Sequence, residues 1–157
     1  IFPLKPLGDG TAPGLTFGPI PLDGRTGKAL LGQAVNIVQH PDGRAREIAV
    51  RANRLLDVDD DDRLLYEADT EGGSSGSPVL NDAWQLIALH RNSEQKRDEH
   101  GNAIDLNGQV ATPTTPEYLR HWVANVGIRV SSIVKELKSR EFSDPVRELI
   151  NAAITSE

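Results

Sequence analysis

The densest chemical signal in the chain is Asp69-Thr70-Glu71-Gly72-Gly73-Ser74-Ser75-Gly76-Ser77-Pro78-Val79, a Gly- and Ser-rich turn that runs into an apolar stretch. Small residues packed around one Ser let a backbone fold tightly enough for two N–H groups to converge on a developing oxyanion. That geometry suits acyl transfer. A bare G-x-S-x-G hydrolase elbow is a different pattern, because it needs a strand before the Ser and a helix after it. Here a β-branched run follows instead. A free hydroxyl is a weak nucleophile at neutral pH, so the chemistry also requires a His base oriented by a carboxylate.

The elements around this turn read as short strands. Ala34-Val35-Asn36-Ile37-Val38-Gln39 is rich in β-branched residues and closes on the turn residues His40-Pro41-Asp42-Gly43. Comparable runs span 47–56, 64–68, 78–80 and 85–90, with Asp-, Gly- or Asn-rich breaks between them, and 126–130 supplies a last strand. This pattern predicts an all-β barrel or sandwich. Seven of the 14 Gly and five of the 10 Pro fall in residues 1–32, interleaved with single apolar residues such as Phe2, Leu7, Leu15, Phe17 and Ile20, which predicts an extended connector over 1–31. The polar stretch Arg91 to Gly108 is expected to be an exposed loop able to flank a site. Near the end, Ser131 or Ser132 is expected to cap a helix bearing Ile133, Val134 and Leu137. Asp144 as N-cap and Pro145 at the first helical position begin another, with Val146, Leu149, Ile150 and Ala153 on one face. Its apolar face is expected to dock on the lobe or on a regulatory domain. The domain reading is therefore a connector over 1–31, a β-barrel over 32–130 and helices over 131–157.

Composition bounds the partners. With 17 Lys+Arg against 23 Asp+Glu in 157 residues, the net charge is −6, and there is no basic stripe for sequence-independent phosphate binding, so nucleic acid is not expected. No apolar run approaches the ~18–20 residues of a membrane span, and a soluble chain without a membrane partner is expected, its compartment left open between cytoplasm and exterior. The absence of Cys removes disulfides, thiol chemistry and Cys-ligated zinc. Met is absent even at position 1, so the chain reads as a processed product or a fragment.

Gly73-Ser74-Ser75-Gly76-Ser77-Pro78 resembles the nucleophile loop of chymotrypsin-fold serine proteases, in the variant seen in glutamyl endopeptidases and related bacterial trypsin-like peptidases. The resemblance implies Ser75 as nucleophile and the backbone N–H groups of Gly73 and Ser75 as oxyanion hole. It continues through Trp84-Gln85-Leu86-Ile87-Ala88-Leu89-His90, similar to the strand that walls the family's specificity pocket, and covers roughly residues 30–140. It implies the fold of the C-terminal lobe, an antiparallel six-stranded barrel with C-terminal α-helices, and peptide-bond hydrolysis through an acyl-enzyme without metal or organic cofactor.

The family supplies its His and Asp from an N-terminal barrel, and the order His, Asp, Ser cannot be completed here. None of His40, His100 or His121 stands where the family places its base. The expected partners are thus a peptide or protein substrate and an N-terminal protease lobe. Trypsin-type activation pairs a freed amine with an Asp just before the nucleophile; Ser74 holds that position, so Ile1 is not expected to act in that way. A nick in the connector remains open.

Two readings of the pocket stand side by side. Thr70 and His90 occupy the positions at which glutamyl endopeptidases bind an acidic side chain, and imidazole plus hydroxyl can hydrogen-bond a carboxylate. Asp69 occupies the position at which trypsin-type enzymes keep the carboxylate for Arg or Lys. P1 is accordingly basic or Glu. The acidic run Asp57-Val58-Asp59-Asp60-Asp61-Asp62 fails the calcium-loop template, which needs Gly at position 6 and Glu at position 12, and reads as a solvated turn. Trp84 and Trp122 are expected to serve packing. The competing functional class is an inert pseudoprotease or protein-interaction module that keeps the loop without an activated Ser.

Overall fold

The strand over Val35–Gln39 (β1) appears where the alternation of β-branched residues places it, with Val35 and Ile37 fully buried. In the computed structural model, which describes residues 5–50, 53–59 and 62–154, six further strands follow. They are β2 (Glu47–Ala49), β3 (Arg54–Asp59), β4 (Arg63–Glu67), β5 (Pro78–Asn81), β6 (Leu86–Gln95) and β7 (Trp122–Arg129). Ile1 and Phe2, and Asp60 and Asp61 of the acidic run, lie outside the described residues.

All seven strands pair antiparallel in one sheet of order β2-β1-β5-β6-β7-β4-β3. The expectation of six strands is corrected to seven, because the run 47–56 breaks into β2 and β3. Among the described residues no full ladder closes a barrel: β2 and β3 end the order, and the start of β1 meets β3 through one bridge, Ala34–Arg54. Three backbone bonds support that bridge, Leu55 N–H to Gln33 O at 2.9 Å, Gly32 N–H to Leu55 O at 2.8 Å and Val35 N–H to Asn53 O at 3.3 Å. The inward residues meet in one core of Val35, Ile37, Leu55, Leu64, Tyr66, Val79, Ile87 and Ala88, the last two consecutive because the β5–β6 register slips there.

The chain divides into two compact units, residues 27–129 with the sheet, and residues 1–26 together with 130–157. Within the second unit the expected extended connector contains a one-turn helix α1 (Pro13–Phe17), begun by Pro13 and closed by Gly18 N–H to Gly14 O at 3.1 Å. Leu22 then pairs in parallel with Ile154, and its N–H donates to Ala153 O at 2.9 Å. Helix α2 (Val130–Ser139) starts directly from the end of β7, so Ser131 and Ser132 lie in its first turn and do not cap it. Helix α3 (Asp144–Ala153) is capped one residue earlier than expected, by Ser143, whose carbonyl accepts from Val146 and Arg147 at 3.0 and 2.9 Å. No helix among the described residues is long and apolar enough to cross a membrane.

Three further expectations change. Arg91–Gln95 belongs to β6, and Arg97–Ala103 and Ile104–Val110 bridge, so the stretch to Gly108 is built on paired backbone. Trp84, at φ +58° in the turn after β5, and Trp122 are 55% and 40% exposed, so neither fills the core. In the acidic run, Asp57 and Asp59 lie within β3, and Asp59 pairs with Arg63.

Candidate active site

The nucleophile turn is fixed by four backbone bonds. Ser74 N–H donates to Glu71 O at 3.1 Å, Ser77 N–H to Ser74 O at 3.1 Å, Gly76 N–H to His90 O at 2.7 Å, and His90 N–H to Ser77 O at 2.9 Å. Gly73 and Gly76 adopt φ of +92° and +86°, a region that L side chains enter only with strain. At Gly73 a Cβ would also lie 3.2 Å from His40 O, because the turn packs on the Pro41–Gly43 turn, where Asp42 N–H donates to Gly72 O at 2.6 Å. Arg44 reinforces this contact with a two-pronged pair to Glu71 at 2.8 and 3.0 Å, which holds the Glu71 carboxyl below the usual carboxylate range.

Ser75 is exposed at the tip of this turn and donates its Oγ proton to Arg91 O at 3.0 Å. The acceptor is positioned by a β-bulge: pairing with β7 slips between His90 and Asn92, leaving Arg91 as the extra residue. Among the described residues, the N–H groups of Gly73 and Ser75 donate to nothing. No imidazole reaches Ser75 Oγ among the described residues. His40 Nδ1 is 3.1 Å from Arg44 O, His100 is exposed beside Glu99, and His121 precedes β7 with its backbone bonded to Lys96 and Ile104.

A cleft of about 930 Å³ opens beside Ser75, lined among others by Asp69, Thr70, His90, Ser93, Trp122 and Asn125. Asp69 is exposed, and its carbonyl accepts from Gln39 Nε2 at 2.8 Å. His90 is 5% exposed, and its Nδ1 lies 2.7 Å from the hydroxyl of Tyr66, which is fully buried. Burial lowers the His90 pKa and raises that of Tyr66, so both are neutral near pH 7. A Tyr hydroxyl that accepted from Nδ1 would bury its own proton without a partner; donation to Nδ1 avoids that cost and leaves the proton of His90 on Nε2. Gly127 stands opposite His90 in the ladder, and a Cβ there would come within 3.3 Å of the Tyr66 ring. The cleft thus brings Asp69, Thr70 and His90 together and adds Arg91, Ser93 and Asn125, which sequence reasoning missed, as it missed the buried Tyr66 that holds His90 from the core side. No group of three or more His, Asp or Glu side chains among the described residues could hold a metal ion.

A family model described as trypsin-like peptidase domain matches residues 4–89, more than half of the chain. The chain belongs to the trypsin-like peptidase family. The match takes in β1 to β5, the whole nucleophile turn and the first part of β6, and it ends one residue before His90. The trypsin-like peptidase chain is also 36% identical over 145 residues to the uncharacterized protein y4fB of Sinorhizobium fredii (strain NBRC 101917 / NGR234), covering 84% of this chain. It spans 22% of that relative's length. The family's chemistry is peptide-bond hydrolysis, and the β-rich architecture agrees with the family's fold.

Proposed function

We propose that this chain is the nucleophile-bearing part of a serine endopeptidase that cleaves peptide bonds through an acyl-enzyme on Ser75. The observation that carries the reading is the pair of uncommitted N–H groups, Gly73 and Ser75, on a rigid turn that presents the Ser75 hydroxyl to solvent. Such donors cost no reorganisation when the carbonyl oxygen of a tetrahedral intermediate becomes negative. Ser75 Oγ leaves the Arg91 carbonyl, passes its proton to an imidazole and bonds to the substrate carbonyl carbon; the same imidazole returns the proton to the leaving amine. Water then repeats the sequence to release the acid. The imidazole and its carboxylate come from an N-terminal lobe outside this sequence.

For P1, the exposure of Asp69 weakens the basic reading, and the neutral N–H of buried His90 favours a side chain that accepts a hydrogen bond. Such a side chain is Glu or its amide. The pseudoprotease reading rests on one observation, the Ser75 proton held by a backbone carbonyl. Treating the full polypeptide with a fluorophosphonate, with Ser75→Ala alongside, separates the two. Label on Ser75 that the variant loses supports the peptidase; an unlabelled Ser75 supports the binding module.

A further inference from the structure

We infer that the cleft beside Ser75 is a pocket for a neutral primary amide, a Gln side chain at P1, and that Asn125 is the positioning residue that sets this choice. The inference rests on the proposed peptidase site and names the substrate of that same site.

The argument starts from the Asn125 amide, 6% exposed on β7. Its Nδ2 donates to the Ala68 carbonyl at 2.7 Å. A carbonyl takes only a donor, so this contact fixes which end of the amide is which. The oxygen end therefore faces the other way, where the Thr70 hydroxyl lies at 2.6 Å and the Ser93 hydroxyl at 2.7 Å. An amide oxygen has no proton to give. Both hydroxyls must spend their single proton on it, and each then has only lone pairs left for a ligand.

The bulge at Arg91 brings these groups to one side. In a regular strand His90 and Ser93 would face opposite ways, but with Arg91 as the extra residue His90 pairs with Gly127 and Ser93 with Asn125, two positions of the same face of β7. Thr70, His90 and Ser93 all line the cleft. At these three residues a ligand meets one N–H donor, Nε2 of His90, and two hydroxyl acceptors, while Arg44, Arg91 and Asp69 line other parts of the cleft. A carboxylate seated on these three residues finds a single donor and two lone-pair-bearing oxygens against it. A Lys or Arg finds acceptors but also an N–H that it cannot match. A primary amide satisfies both, its oxygen on His90 and its NH2 on Thr70 or Ser93.

The test uses the full polypeptide with Ser75→Ala, which leaves binding intact and stops cleavage, titrated calorimetrically with otherwise identical hexapeptides ending in Gln, Glu or Arg. The Gln peptide is expected to bind about ten-fold or more tighter than the other two, the worth of one well-made hydrogen bond. Thr70→Val, which keeps the shape and removes the lone pairs, is expected to erase most of that margin by weakening Gln binding while leaving Glu binding unchanged or stronger. Asn125→Ala, which removes the shared acceptor and frees both hydroxyls to donate, is expected to do the same, and Thr70→Val keeps the test decisive if that variant does not fold. Equal binding, tighter Glu or Arg binding, or no binding of any peptide overturns the amide pocket. Fluorophosphonate labelling of Ser75 in the unsubstituted protein is read separately: label with a Glu preference defeats the pocket and spares the peptidase, and a Gln preference without label does the reverse.

Discussion

The hydroxyl of Tyr66 on β4 lies 2.7 Å from Nδ1 of His90 on β6, across the intervening strand β7, and fixes the imidazole of a residue that lines the cleft. The rings also meet edge to face, with centroids 6.2 Å apart. A buried side chain from the core thereby sets the protonation of a pocket residue.

Tyr66→Phe keeps the ring and removes that donor. Nδ1 of His90 is left without a partner in a buried setting, which costs about 1–3 kcal/mol. A lower urea midpoint at unchanged slope is the expected result, together with a loss of discrimination among P1 peptides, since the imidazole is then free to take either tautomer. An unchanged midpoint would count against the contact.

Burial lowers the pKa of His90 in the folded chain below the ordinary imidazole value of 6.5. The unfolded chain therefore binds the proton more readily. The stability this group contributes is fully present above about pH 6.5 and falls away as the pH drops through the folded pKa. Urea unfolding at pH 8 down to pH 5, compared between the unsubstituted chain and His90→Gln, is expected to show a difference that shrinks toward acid. A difference constant across that range would contradict the assignment.

Gly73→Ala and Gly76→Ala form a matched pair. Both impose a side chain at positive φ, which costs about 1–3 kcal/mol. At Gly73 the new methyl also presses on the His40 carbonyl at 3.2 Å, whereas at Gly76 it meets nothing within 4 Å. Gly73→Ala is expected to be the more destabilising and to slow fluorophosphonate labelling of Ser75 by at least about ten-fold, because the oxyanion donor moves with the turn.

At Gly127, a methyl would lie 2.9 Å from the Ala88 Cβ and 3.3 Å from the Leu89 carbonyl and the Tyr66 ring. Gly127→Ala is expected to cost about 1–3 kcal/mol by overpacking. Because the displaced ring is the one that holds His90, its P1 binding profile should resemble that of Tyr66→Phe. A stable variant with normal P1 selection would show that the ring has room to move.

The turn around Ser75 was legible because its chemistry is written in consecutive residues, and β1 and β5 because alternation and turn residues bound them. Tyr66 and Asn125 carry no local signal. Their roles arise from cross-strand register, in which Tyr66 pairs with Asn125 and Asn125 with Ser93, and from a bulge at Arg91 that no spacing rule foretells. Helix α1 was hidden by the Gly and Pro around it, although Pro13 marks its start. The Ser131–Ser132 pair suggested a cap, but β7 continues into α2 without the extended residue that a cap requires.

The peptide groups of His90 hold the nucleophile turn on both sides, its carbonyl receiving Gly76 N–H and its N–H reaching Ser77 O, while the same residue lines the pocket. A substrate side chain that tugs on this ring therefore pulls on the scaffold of Ser75 through a single residue. Amide exchange at Gly76 becomes a remote gauge of pocket occupancy, readable by NMR with the hydroxyl of Ser75 deleted and no bond ever cleaved.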